Sequence, residues 1–303
     1  MDEFNDKIKN SNQQSEEKLA LPFSVDLSGK TAVVTGGAGV LCSYFARALA
    51  LSGAKVVILD LNLEAAEKVV STIKREGGIA KAFLANVLDK KSLIKAKNSI
   101  IKEFKTCDIL INGAGGNHPK GTTSKEFLFA DDLDNSDDSV QTFMDLDPKG
   151  IQFVFDLNFL GTFLVTQVFL PELMHSVNSC IINISSMNAF RPLTKIPAYS
   201  AAKSALSNFT QWLAVHLSKL HIRVNAIAPG FFLTNQNRDL LLDKKGKFTE
   251  RAQKIINHTP LGRFGKPADL LGTLLWLIDD KSSNFITGTV IPVDGGFSAY
   301  SGV

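Results

Sequence analysis

From Thr31 onward the chain alternates short β-branched or apolar runs with longer segments whose apolar positions recur every three or four residues. The short runs predict seven strands, at residues 31–35, 55–59, 80–85, 109–111, 180–184, 223–227 and 290–292. Helices are expected between them at 41–51, 63–76, 90–104, 152–175, 199–219 and 267–277. Such alternation is the pattern of stacked βαβ units and a mostly parallel sheet. No internal repeat or low-complexity linker divides residues 27–303, which are expected to form one domain.

Two segments break the alternation: 116–149, acidic at its centre, and 230–266, polar and mixed. Both follow strand ends. In open α/β sheets the ligand crevice lies beyond the carboxyl ends of the strands, so these excursions are expected to wall or cover a pocket. The acidic tract DDLDNSDDS, residues 131–139, lacks the glycine and the terminal glutamate of a calcium loop and is expected to be a solvated loop.

Composition narrows the partners. Of 303 residues 45% are hydrophobic, enough for a sizeable core, and 33 basic against 30 acidic residues give a net charge of only +3. The basic residues form no long run, so nucleic acid is not an expected partner. Residues 1–26 look like a polar extension without a signal-peptide core. The most apolar window, FVFDLNFLGTFLVTQVFLPELM at 153–174, is interrupted by Asp156, Asn158, Thr162 and Gln167, which predicts a buried helix and no membrane span. Cys42, Cys107 and Cys180 are odd in number and far apart, suggesting neither disulfides nor zinc, and a reduced, cytoplasmic setting. The histidines, at 118, 175, 216, 221 and 258, show no metal-ligand spacing.

Candidate chemistry begins at VVTGGAGVLCSYFARALALSGAKVVILD, residues 33–60, where a strand, a glycine turn at Gly36, Gly37 and Gly39, a helix and a second strand ending in Asp60 follow one another. Glycines let the backbone approach a pyrophosphate, the helix start supplies partial positive charge, and the acid can accept ribose hydroxyl hydrogen bonds. A carboxylate there also repels a 2′-phosphate, and no base lies between Thr35 and Cys42 to offset it, so NAD is expected over NADP. Further on, Tyr199 and Lys203 are four apart and share a helix face. An unperturbed phenol has a pKa of about 10, and a nearby ammonium favours its phenolate.

The motifs TGGAG at 35–39, NGAG at 112–115, NFLG at 158–161, SSMNAF at 185–190, YSAAK at 199–203, PGFFLT at 229–234 and VDGG at 293–296 occur in an order that resembles the short-chain dehydrogenase/reductase superfamily. The resemblance runs from about Leu27 to the C-terminus. It implies a doubly wound, seven-stranded parallel sheet, a Rossmann fold with three αβα layers. It also implies a catalytic set of Asn158, Ser186, Tyr199 and Lys203. Tyr199 would exchange a proton with the reacting oxygen, Ser186 would bond that oxygen, Lys203 would hold the nicotinamide ribose, and Asn158 would bind a water relaying protons. The alternative for Asn158 is an amide satisfied by backbone. The implied NAD site takes in Gly36, Gly37, Gly39, Leu41, Asp60, Asn86, Val87, Asn112, Ala114, Gly115, Pro229, Gly230, Phe232 and Thr234. Two departures stand out. Val40 and Cys42 occupy positions where the family's T-G-x-x-x-G-x-G has glycine, and Asn86 replaces an Asp facing the adenine.

Within the superfamily, NGAGGNHP, FDLNFLGT, SSMNAFRPLTKIPAYSAAK, APGFFLTNQNR, TPLGRFGKP and VDGGFSAYSGV look like the D-mannonate oxidoreductase (fructuronate reductase) branch. That likeness implies a sugar-acid substrate. Asn117, His118, Asn188 and Arg191 are the expected substrate contacts, with Arg191 the first candidate for its carboxylate and Lys195 and Arg238 the alternatives. Other polyol acids, or a cofactor-binding regulator without turnover, are the competing readings. The apolar helices at 152–175 and 199–219 match those that pair in the family's tetramers.

Overall fold

The computed structural model describes residues 19–133, 140–234, 241–244 and 246–302. Most of the N-terminal extension, residues 134–139 of the acidic tract, and Arg238 lie outside the described residues.

Seven strands form one all-parallel sheet: β1 (Thr31–Thr35), β2 (Lys55–Asp60), β3 (Ile79–Leu84), β4 (Ile109–Asn112), β5 (Cys180–Ile184), β6 (Arg223–Pro229) and β7 (Val290–Val293). Their order is β3-β2-β1-β4-β5-β6-β7. The winding reverses between β1 and β4, where Val33 pairs with Leu110 and Thr35 with Asn112. The crevice of such a sheet opens at that reversal, beyond the strand ends.

Alternate strand residues feed opposite faces. Val34, Ile58, Ile111 and Ile182 pack on α1 (Val40–Leu51), α2 (Leu63–Arg75) and α7 (Leu271–Ile278). Val33, Val57, Leu110 and Ile181 pack on α3 (Lys90–Phe104), the long helix α4 (Pro148–Met174) and α5 (Pro197–His216). Both covers are helical, so β1, β4 and β5 are buried along their whole length and the architecture is three-layered αβα. Packing also reaches further back than Leu27: Val25 is buried, and Leu19 and Leu21 lie against the first core.

Several element bounds differ from expectation by one to four residues, and a helix appears that was not expected. Helix α4 starts at Pro148 instead of 152, because Asp147 accepts a hydrogen bond from Lys149 N and Pro148 supplies a preset first helical position. The 230–266 excursion contains a helix, α6 (Glu250–Asn257), capped by Thr249. By length and composition α4 could cross a membrane, but Asn158, Thr162, Val165, Thr166 and Phe169 on it are buried within the fold.

The 116–149 excursion is stitched to the body. Thr123 N donates to Lys195 O at 2.9 Å, and within the excursion Ser124 N donates to Gln141 O at 2.8 Å.

Candidate active site

The turn after β1 needs glycine at Gly36, whose φ is +61° and where a Cβ would lie 2.9 Å from the Ala114 backbone. That contact holds the two loops at the sheet's reversal against each other. Gly39 precedes α1, which has no side-chain cap and no acid in its first turn. Its first backbone N–H groups therefore remain available to an anion. By contrast α2 is capped by Asn62. Half-buried Asp60 accepts from Ala38 N at 3.0 Å and Asn62 N at 2.9 Å, so it ties the glycine turn to the end of β2 while keeping acceptor capacity. A tight turn, an uncapped helix start and an acid on the second strand together fit a dinucleotide.

Cys42 does not fill the groove. Its thiol is buried and points at Gly113, where a side chain would meet Sγ and lie 2.9 Å from Thr35 O. The bulk at position 42 is thus accommodated by glycine at 113. Burial pushes the Cys42 thiol up to about 12, so it stays protonated.

Among the other expected cofactor residues, Val87 packs against Gly161, and Asn86 Oδ1 accepts from Leu88 N at 3.0 Å. Leu41 leans on the first core. Ala114 N, with Gly113 N, donates to Thr35 Oγ1. Pro229 ends β6, Gly230 packs on Asp294, and Thr234 closes the described part of that loop. Two side chains turn elsewhere. Asn112 Nδ2 bonds Thr166 Oγ1 and Asn183 Oδ1 inside the layer between sheet and helices, and the Phe232 ring is buried against Gly265. Neither side chain faces the groove.

The reacting residues gather at the ends of β4 and β5. Asn158 lies in a π turn, Asp156–Leu160, within α4. Its amide donates to Gly116 O at 2.7 Å and Val154 O at 2.8 Å and accepts from Gly116 N at 3.2 Å, so backbone satisfies it. A Cβ on Gly115 would sit 2.7 Å from Asn158 Oδ1 and 3.2 Å from Lys203 Nζ, so both polar groups converge over that glycine. Lys203 Nζ donates to Ile184 O at 2.7 Å and lies 5.6 Å from the centre of the Tyr199 ring. Burial draws the ammonium down from 10.5 to about 8. Tyr199 moves the opposite way from the sequence expectation: burial raises its phenol pKa, and a hydrogen bond with Ser186 only partly offsets this. Without cofactor, Tyr199 is a neutral, proton-carrying phenol. Ser185 is structural, bonded to Ser207 Oγ and Lys203 O.

A cleft of about 750 Å³ opens along the segment between Ser186 and Tyr199, and none of Asn158, Ser186, Tyr199 and Lys203 lines it. One wall is Arg191–Ile196, the segment running from the Ser186 turn to α5. Arg191, Lys195, Arg251, Lys254 and His258 line it against two acids, Glu126 and Glu250, and Phe231 and Phe297 supply aromatic surface. The cleft is therefore basic. Of the expected substrate contacts Arg191 lines it, with Nε donating to Ser298 O at 3.0 Å, as does its alternative Lys195. Asn117 bonds Thr122, His118 Nδ1 accepts from Lys120 N and its ring packs on Phe153, and Asn188 is buried.

The sequence profile of the short chain dehydrogenase family matches residues 30–245. The chain belongs to that family. Two relatives cover nearly all of this short-chain dehydrogenase. An uncharacterised oxidoreductase of Haemophilus influenzae is 56% identical over 278 residues, 92% of this chain and 96% of its own. The uncharacterised oxidoreductase UxuB of Bacillus subtilis is 54% identical over 283 residues, 93% of this chain and 100% of its own. Among solved structures, a Haemophilus influenzae protein provisionally named D-mannonate oxidoreductase, with bound NAD, superposes with a TM-score of 0.88 at 56% identity, covering 92% of this chain and 98% of that one.

Proposed function

We propose that this dehydrogenase interconverts a keto sugar acid and its hydroxy acid with NAD, reducing D-fructuronate to D-mannonate and running the reverse reaction. The observation that carries the reading is the basic cleft whose wall, Arg191–Ile196, joins Ser186 to Tyr199. Its Arg191, Lys195, Arg251 and Lys254 outnumber Glu126 and Glu250, which favours an anionic substrate. The name given to the Haemophilus influenzae structure supports the same substrate.

When bound, NADH supplies the hydride to the carbonyl carbon. The Gly36 turn, the start of α1 and Asp60 would hold the dinucleotide, and the Asp60 carboxylate would disfavour a 2′-phosphate. Tyr199, its phenol kept protonated by burial, donates its proton to the forming alkoxide. Ser186 bonds the same oxygen and orients it. Lys203 grips the ribose and passes the replacement proton towards Tyr199. Asn158 holds the Gly116 backbone beside Lys203, a positioning role that its backbone-satisfied amide supports. Exposed Trp212 and Val215 on α5 and Phe153 and Leu160 on α4 support pairing of these helices in a homotetramer. Three free buried thiols suit a cytoplasmic setting.

The test is a panel of keto sugar acids with NADH. D-Fructuronate is expected to give the highest kcat/KM; a clear preference for 5-keto-D-gluconate would move the assignment to a gluconate dehydrogenase, and inactivity with every acid would remove the sugar-acid reading.

A further inference from the structure

Three cations from two elements of the cleft surround a carboxylate that belongs to the protein. Lys195 lies on the wall segment four residues before Tyr199, while Arg251 and Lys254 are three apart on α6 and share a face. Glu126 comes from the 116–149 excursion and lines the same cleft. Lys254 Nζ donates to Glu126 Oε2, a bond spanning 128 positions of sequence. That bond holds the Glu126 carboxyl below its usual range, and the charges of Lys254, Lys195 and Arg251 act in the same direction. The pair is not sealed: the Glu126 side chain is 33% exposed and that of Lys254 57%. Ion pairs this open contribute little and exchange readily.

We propose that Glu126 keeps the place of the substrate's acid group, and that a polyhydroxy acid binds by putting its own carboxylate among Lys195, Arg251 and Lys254 in exchange for Glu126. The inference rests on the sugar-acid reading of the cleft and names the cations that serve it. Exchanging one carboxylate for another leaves Lys254 paired, so an acid can enter where an uncharged sugar would leave Lys254 with Glu126. The exchange also unties the 116–149 excursion from α6, while Thr123 N to Lys195 O keeps it attached to the wall. Arg191, anchored on Ser298 O, would then position the C-terminal segment that carries Phe297 and leave acid recognition to the cluster.

Binding to the NADH-loaded protein tests this, because a sugar acid already reduced forms a dead-end complex without turnover. D-Mannonate is titrated calorimetrically beside D-mannitol, its uncharged counterpart. Glu126→Gln removes the competing charge and is expected to tighten D-mannonate binding about 2- to 5-fold, with D-mannitol unchanged. Lys254→Met is expected to weaken D-mannonate binding at least about 5-fold. Unaltered NADH affinity checks that each variant is folded. Unchanged or weaker D-mannonate binding to Glu126→Gln overturns the inference, as does an equal change for D-mannitol. D-Gluconate and D-galactonate in the same series separate it from the substrate assignment. Tighter binding of either acid to Glu126→Gln supports the exchange even where D-mannonate does not bind; no response from any of the three acids overturns it.

Discussion

Replacing Lys203 by Met should stabilise the cofactor-free protein while removing its affinity for cofactor. The side chain is only 4% exposed, and its ammonium donates to Ile184 O at 2.7 Å. Burial holds it at about 8 against the ordinary 10.5, a difference corresponding to roughly 3 kcal/mol against the charged form. Met fills a similar volume but leaves the Ile184 carbonyl without its donor, at a cost of about 1–2 kcal/mol. The net gain is about 1–2 kcal/mol, or a rise of roughly 2–6 °C in melting temperature at pH 7. The pH dependence has a definite sign. Because the folded pKa lies below the unfolded one, the unfolded chain binds more protons between pH 8 and 10.5, and wild-type stability gains there. The advantage of Lys203→Met should therefore be full below pH 8 and shrink towards pH 10.5. Scanning calorimetry of both proteins without cofactor, at pH 7 and pH 10, measures it. A lower melting temperature for the variant at pH 7, or an equal difference at both pH values, would refute the argument.

Three further outcomes are expected. Tyr199→Phe should leave NADH binding nearly intact in a fluorescence titration while lowering turnover at least ~100-fold, since general acid–base assistance is typically worth ~10²–10⁴. Asp60→Ala should weaken a clear preference for NADH, read as kcat/KM for NADH and NADPH in both proteins; equal use of the two by the unmodified enzyme would sink the ribose role. Gly113→Ala should cost about 1–3 kcal/mol by driving a methyl group into Cys42 Sγ, and Cys42→Ala should recover about half of that in the double variant, Thr35 O remaining close. An identical loss of melting temperature in both backgrounds would show that the two positions are not coupled.

The central strands were legible because their burial on both faces leaves a continuous apolar signal; TAVVT and CIINI correspond to β1 and β5 residue for residue. Helix α6 was not, since eight largely polar residues make too short a run, although Ala252, Ile255 and Ile256 keep helical spacing and Thr249 followed by Glu250 is a cap signal. The start of α4 is marked by Asp147-Pro148, while the apolar run begins later. At the site, motif order marks positions but not side-chain directions. Asn112 stands in the expected motif, yet its amide turns into the buried layer with Asn183 and Thr166. The Tyr199 phenol shows a similar limit, because spacing reveals the nearby lysine but not the burial that outweighs it. Contacts such as Glu126 with Lys254 and Cys42 with Gly113 join distant stretches, and no local pattern announces them.

The central claim is that hydride passes between NADH and a keto sugar acid beside Tyr199. The most direct measurement is mass spectrometry of the product formed from D-fructuronate and NADH deuterated at the transferable position. The account predicts D-mannonate carrying one deuterium on the former carbonyl carbon, formed by the wild type and at least ~100-fold more slowly by Tyr199→Phe. Absence of labelled D-mannonate, or the same rate of labelling in both proteins, would contradict it.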